Sequence, residues 1–210
     1  MPNWCNNYAE IHGPKATIKA LHDAIINEGK FFGHMRPEPN YEEVDVYPTF
    51  PGIKGNNDPV EKSQSWWDWR VQNWGTKWEL GDEMKSIFTY EEVNDEYAKL
   101  SGGFDTAWSP ACDAFQYFAD NNEGVQATVY YYEPGMGFCG VYDTDGGDDY
   151  YDISGMNSEQ VKDEIPEALD ECMGISECMA EYEAMERDEL EEWYEDGVEK
   201  TGLAPHKVNE

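Results

Sequence analysis

The chain has 210 residues, and its 45 Asp and Glu against 14 Lys and Arg give a formal net charge of −31. Aromatic residues make up 14 %, with 8 Trp and 14 Tyr, which excludes a disordered acidic tail, because such tails lack the apolar surface that offsets ordering entropy. Charge of this size repels nucleic acid and anionic membrane and attracts basic protein surfaces.

The length fits one domain, or one domain with an appendage. No apolar run approaches a membrane span, and Met1 to Cys5 lacks the basic-then-apolar order of a secretory signal. The five cysteines are odd in number and have no CxxC spacing, so reduced thiols in a cytoplasmic protein are the simplest reading.

Cys5 to His12 alternates as a strand, with Cys5, Asn7, Ala9 and Ile11 on one face. Gly13-Pro14 opens a helix whose stripe is Ile18, Leu21, His22 and Ile25, and Gly29 ends it. Residues 30–64 are broken by Pro and Gly and read as a long ordered loop. Residues 65–78 hold five tryptophans, and Trp67, Val71, Trp74 and Trp78 have helical spacing up to a break at Gly75. Ile87 to Tyr90 and Tyr97 to Leu100 are short strands, and Phe104 to Trp108 is another. Ser109-Pro110 then caps a helix to Asp120, with Ala111, Phe115, Phe118 and Ala119 inward. Strands follow at Val125 to Tyr132, Phe138 to Tyr142 and Tyr150 to Ile153, joined by turns at 133–136 and 143–148.

Ser158 caps a helix to Cys172 that Pro166 splits, and Ser176 caps a longer one to Glu195. The apolar stripe of this last helix is narrow: Met179, Tyr182, Met185, Leu190 and Trp193. Two β-α units feeding further strands predict an α+β fold, a ferredoxin-like antiparallel sheet with helices on one face. The predicted domain covers 1–153, with a Pro-rich insertion at 30–64 and a Trp-rich segment at 65–78. An acidic helical extension covers 154–210.

Four motifs occur in order: Met1-Pro2-Asn3-Trp4-Cys5 with Asn7 and Ile11-x-Gly13; Trp74-Gly75-Thr76-Lys77-Trp78; Phe104-Asp105-Thr106-Ala107-Trp108-Ser109-Pro110; and Glu133-x-Gly135-x-Gly137-Phe138-x-Gly140. The set resembles the YubB-like ferredoxin-fold family carried by conjugative plasmids and bacteriophages, over roughly residues 1–142. The resemblance implies a ferredoxin-like domain of mobile-element origin and no enzymatic activity. The acidic helices lie outside it.

Chemistry has three candidate locations. Trp67, Arg70, Trp74, Lys77 and Trp78 are able to stack a base and hold a phosphate, as a nucleotide or small-ligand binder does, or to seal a helix onto the sheet. Asp143, Asp145 and Asp148 form a weak candidate cation loop, or an Asp/Gly hairpin turn, and the spacing of a calcium-binding helix-loop-helix is absent. No catalytic motif, phosphate loop or cofactor fingerprint occurs, and the Gly135, Gly137 and Gly140 spacing is explained by turn geometry.

The third location is the last helix. From Asp143 to Glu199 there are 22 acids, against Lys162 and Arg187. Glu181, Glu186, Asp188, Glu189, Glu192, Glu195 and Asp196, with Trp193 as an aromatic anchor, form a candidate partner-binding surface. Carboxylates on successive turns sit about 5–6 Å apart, on the scale of DNA phosphates. The expected function is a non-catalytic accessory protein whose acidic surface occupies a basic, nucleic-acid-binding site of a host defence factor, without binding nucleic acid or membrane itself.

Overall fold

The computed structural model describes residues 3–40, 66–81 and 86–201, leaving aside the side chains of 191, 192 and 194–201. The chain divides into two compact units, Met1–Ser154 and Gly155–Glu210.

The first unit is α+β, with a six-stranded antiparallel sheet. Strand β1, Trp4–Pro14, buries Cys5, Asn7, Ala9 and Ile11 on one face, as its alternation predicts. Helix α1, Lys15–Glu28, follows directly and buries Ile18, Leu21, Ala24 and Ile25. Pro14 sits just before this helix rather than in its first turn, and Gly29 ends it at φ 65°.

The predicted loop at 30–64 is helical in part: helix α2, Phe32–Met35, buries Phe32 and Met35. The remainder of that loop, from residue 41, lies outside the described residues. Helix α3, Trp66–Trp74, stops at Gly75, whose φ is 84°. Trp78 therefore lies beyond the helix and does not share its face.

Strand β2, Thr89–Glu92, pairs with β3, Tyr97–Ala107. Two short strands were expected where β3 runs unbroken, because all eleven of its residues pair with β1. Its Gly102 is a close approach and not a break: a Cβ there would stand 2.9 Å from the Phe88 ring.

Helix α4, Cys112–Asn121, is preceded by Ala111 at the cap position, and Ser109 does not cap it. The Ser109 hydroxyl instead donates to the Gly75 carbonyl at 2.7 Å. Strands β4, Gln126–Glu133, β5, Phe138–Asp143, and β6, Gly147–Asp152, complete the order β2-β3-β1-β4-β5-β6.

Between sheet and helices lies a core rich in aromatic rings. Phe31 packs on Phe88, Phe104 and Phe115 with centroids 4.6, 5.4 and 5.8 Å away. Turn geometry does not explain Gly140, contrary to expectation. It lies within β5, where a Cβ would come 2.2 Å from the Tyr131 hydroxyl, itself bonded to Asp148 at 2.6 Å.

The second unit holds α5, Ser158–Glu164, α6, Glu167–Met173, and α7, Ile175–Thr201. Pro166 splits the first two, since it cannot donate within a helix. Asn157 and not Ser158 caps α5, through a capping box with Gln160. Ser158 donates its N–H and hydroxyl to Glu183 of α7, at 2.7 and 2.8 Å. Ser176 is likewise not a cap: its N–H and hydroxyl donate to Asp170.

Candidate functional site

Residues from all four motifs meet at one end of the sheet. Trp4 pairs with Ala107 across β1 and β3. The Trp108 N–H donates to the Asn3 carbonyl at 3.0 Å. The Thr76 hydroxyl lies 3.2 Å from both the carbonyl and the N–H of Ala107, so the Trp74–Trp78 segment is stitched to the end of β3. Gly75 is needed there, since a Cβ would stand 2.9 Å from the Pro110 carbonyl. In the β4–β5 turn, buried Glu133 accepts from the N–H groups of Gly135 and Met136. Gly135 lies against the Asn3 side chain.

Many of these motif residues thus serve the fold. Buried Asn7 donates to the Cys5 and Phe104 carbonyls and to the Thr106 hydroxyl. The Cys5 thiol is buried, which pushes its pKa up to about 12 and leaves it a poor nucleophile.

Three motif tryptophans, Trp4, Trp78 and Trp108, stay 39–47 % exposed. Trp4 and Trp78 have ring centroids 5.8 Å apart at 45°. They line a cleft of about 410 Å³ with Glu79, Leu80, Gly81, Asp105, Thr106 and Ala107. A second cleft, of about 280 Å³, lies between Trp67, Lys77 and Trp108. The Lys77 ammonium sits 4.1 Å from the Trp78 centroid and 5.7 Å from that of Trp108. Trp108 has φ 78°, the one non-glycine residue with positive φ among the described residues. Such a backbone costs about 1–3 kcal/mol, and the exposed indole recovers little of it by burial.

Of the five residues predicted to hold a ligand, Trp67, Lys77 and Trp78 reach these clefts. Trp74 is wholly buried, with its indole N–H donating to the Arg36 carbonyl at 2.8 Å. Arg70 grips Glu38 with two 2.8 Å bonds and lies 4.8 Å from the Trp74 centroid. Both belong to the packing that anchors α3. Sequence reasoning missed Trp4, Asp105 and Trp108 as site residues. For Trp4 and Asp105 the signal was present in the strand alternation, which places them on the face opposite buried Cys5 and Phe104; Trp108 lies beyond β3, where alternation gives no guide.

The three aspartates of the candidate cation loop are spoken for by the β5–β6 turn and by side chains of β4. Asp143 accepts from the N–H groups of Asp145 and Gly146 and from the Thr128 hydroxyl. Burial works against its charge, but these bonds win and hold its pKa below the ordinary 3.8. Asp145 accepts from Gln126, and Asp148 from Tyr131. No group of three or more His, Cys, Asp or Glu able to hold a metal ion occurs among the described residues.

On α7, Glu181, Glu186, Asp188 and Glu189 are exposed, as is Arg187 between them. Tyr182, Met185, Leu190 and Trp193 are 61–75 % exposed on the same helix. The side chains of Glu192, Glu195 and Asp196 lie outside the described residues. No helix among the described residues is long and apolar enough to cross a membrane. Comparison of the chain with protein-family models, with curated proteins and with solved structures gives no match.

Proposed function

We propose that this is a non-catalytic accessory protein that binds a basic partner through the exposed surface of α7. The observation that carries the reading is the coincidence on one helix of solvent-facing carboxylates and solvent-facing large apolar side chains, Tyr182 to Trp193. Carboxylates steer a basic surface in and set its register, while buried aromatic and aliphatic anchors supply most of the affinity. A merely soluble surface needs far less charge and gains nothing from exposing Trp193.

Spaced like phosphates, the acids suit a site that otherwise holds DNA, so the partner class is a nucleic-acid-binding host defence factor and the mode is DNA mimicry. Such a role fits a phage- or plasmid-borne protein acting in the bacterial cytoplasm. The order of the first four strands, β2-β3-β1-β4, all antiparallel, supports a ferredoxin-like arrangement for the scaffold, extended by β5 and β6.

The test is capture of the partner from a bacterial lysate at low salt, followed by competition with duplex DNA. The expected result is release by DNA and by a few hundred millimolar salt, and weaker binding after charge reversal at Glu189, Glu192 and Glu195 with the fold intact. Affinity indifferent to charge reversal and to DNA would sink the reading. The alternative, a nucleotide or small ligand in the Trp-rich segment, keeps Trp67, Lys77 and Trp78 but loses Trp74 and Arg70 to packing.

A further inference from the structure

We infer that the cleft walled by Trp4 and Trp78 receives a cationic side chain, an arginine or lysine of a basic polypeptide, with Asp105 as its carboxylate. The inference shares with the proposed function the premise of a basic partner and adds a separate contact on the α+β unit. Four observations carry it.

The walls are right for a cation. Two exposed indoles line the cleft, leaning on each other with centroids 5.8 Å apart and a tilt of 45°, and ring quadrupoles attract ammonium and guanidinium groups. The charges are right as well. Glu79 and Asp105 are the ionisable groups among the described lining residues, and both are acids. Glu79 is committed to the N–H groups of Phe31, Phe32, Gly33 and Leu80. Asp105 is exposed and accepts one bond, at 2.8 Å from Asn6, through one of its oxygens.

The protein also supplies its own example, since the Lys77 ammonium already rests 4.1 Å from the Trp78 centroid. Finally, the whole molecule carries −31, a field that concentrates cations and opposes a phosphate. A nucleotide at the same place would meet that field, and among the described residues Lys77, over the Trp78 ring, is the cation beside it.

Lys77 separates the two ligand classes. For an incoming cation it is a like charge competing for Trp78; for a phosphate it is the binding group. The probe is a fluorescently labelled nona-arginine peptide, titrated into the full chain at about 150 mM salt, where the Debye length of about 8 Å suppresses long-range attraction. Loss of one cation–π wall or of the carboxylate in Trp78→Ala or Asp105→Asn is expected to weaken binding about threefold or more. Asp105 is exposed, so the second variant tests the site even where the first disturbs the fold. Lys77→Gln is expected to tighten binding about threefold, from the removal of a like charge several ångströms away.

Unchanged affinity in both Trp78→Ala and Asp105→Asn overturns the inference, and so does weaker binding in Lys77→Gln. Saturable binding of ATP that Lys77→Gln abolishes overturns it in favour of an anion site. Spermidine binding as tightly as the peptide overturns the assignment to a polypeptide. A triple Glu181, Glu186 and Glu189→Gln variant keeps the α7 reading apart. If it alone loses affinity, the cleft is wrong and α7 stands; if it binds normally while Asp105→Asn does not, the cleft stands without α7.

Discussion

Single residues in this chain divide into those held by the fold and those it leaves free, and the sequence does not separate the two. Trp74 and Trp78 sit in one five-residue motif, yet one is wholly buried and the other about two-fifths exposed. The difference is Gly75, which ends α3 and turns the chain towards β3. Asp143 is a similar case. It has the composition of a cation ligand and the contacts of a turn stabiliser. Its folded pKa lies below 3.8, so its contribution to stability is fully present above that value and is lost as the pH falls through the folded pKa. Asp143→Ala should cost about 1 kcal/mol at neutral pH. In thermal melts the gap between variant and parent should close in acid, below pH 3.8; a gap independent of pH would refute the role.

Among the elements, most helices and strands were legible from periodicity; their ends were not, nor was the short helix α2 inside a segment that reads as loop. The stripes of α1 and α4 and the alternation of β1 and β4 reflect direct burial, so local sequence reports them. Ser109, Ser158 and Ser176 have the right residue type for caps, but each bonds elsewhere: to the Gly75 carbonyl, to Glu183 and to Asp170. Those partners lie 34, 25 and 6 residues away, beyond any local rule. The α7 acids consequently do not form one class. Glu183 ties α7 to the start of α5, whereas Glu181 and Glu186 face solvent. Glu183→Ala should destabilise the second unit by about 1–2 kcal/mol, and Glu181→Ala should leave it within about 0.5 kcal/mol. Chemical denaturation followed by helical circular dichroism checks both; equal costs would remove the distinction.

For the whole molecule, the dominant quantity is charge. Of the 45 acids, 18 fall after Ser154, with Lys162, Arg187, Lys200 and Lys207 as the basic residues there. Self-repulsion on this scale destabilises the compact state and is relieved by salt. Raising the salt from about 10 mM to about 500 mM shortens the Debye length from about 30 Å to about 4 Å. The melting temperature should rise over that range, while binding to a basic partner should weaken. A melting temperature that is flat or falls with salt would show that repulsion is not a leading cost. Opposite responses of stability and binding to one variable are what an acidic binding surface entails.

The sequence by itself determined the α+β class, the absence of a long apolar span and the crowding of acid towards the C-terminus. Each is a property of composition or of short-range period, which needs no knowledge of what packs on what. Only the tertiary structure decided that β3 is one strand, that Trp74 and Arg70 belong to packing, and that Gly140 exists to admit the Tyr131 ring. It alone brought Trp4 from β1, Trp78 from beyond α3 and Asp105 from β3 around one cleft. Trp4 and Asp105 are about a hundred positions apart, and the meeting follows from the pairing of β1 with β3 and from the Thr76 bonds to Ala107, long-range choices that no local pattern records.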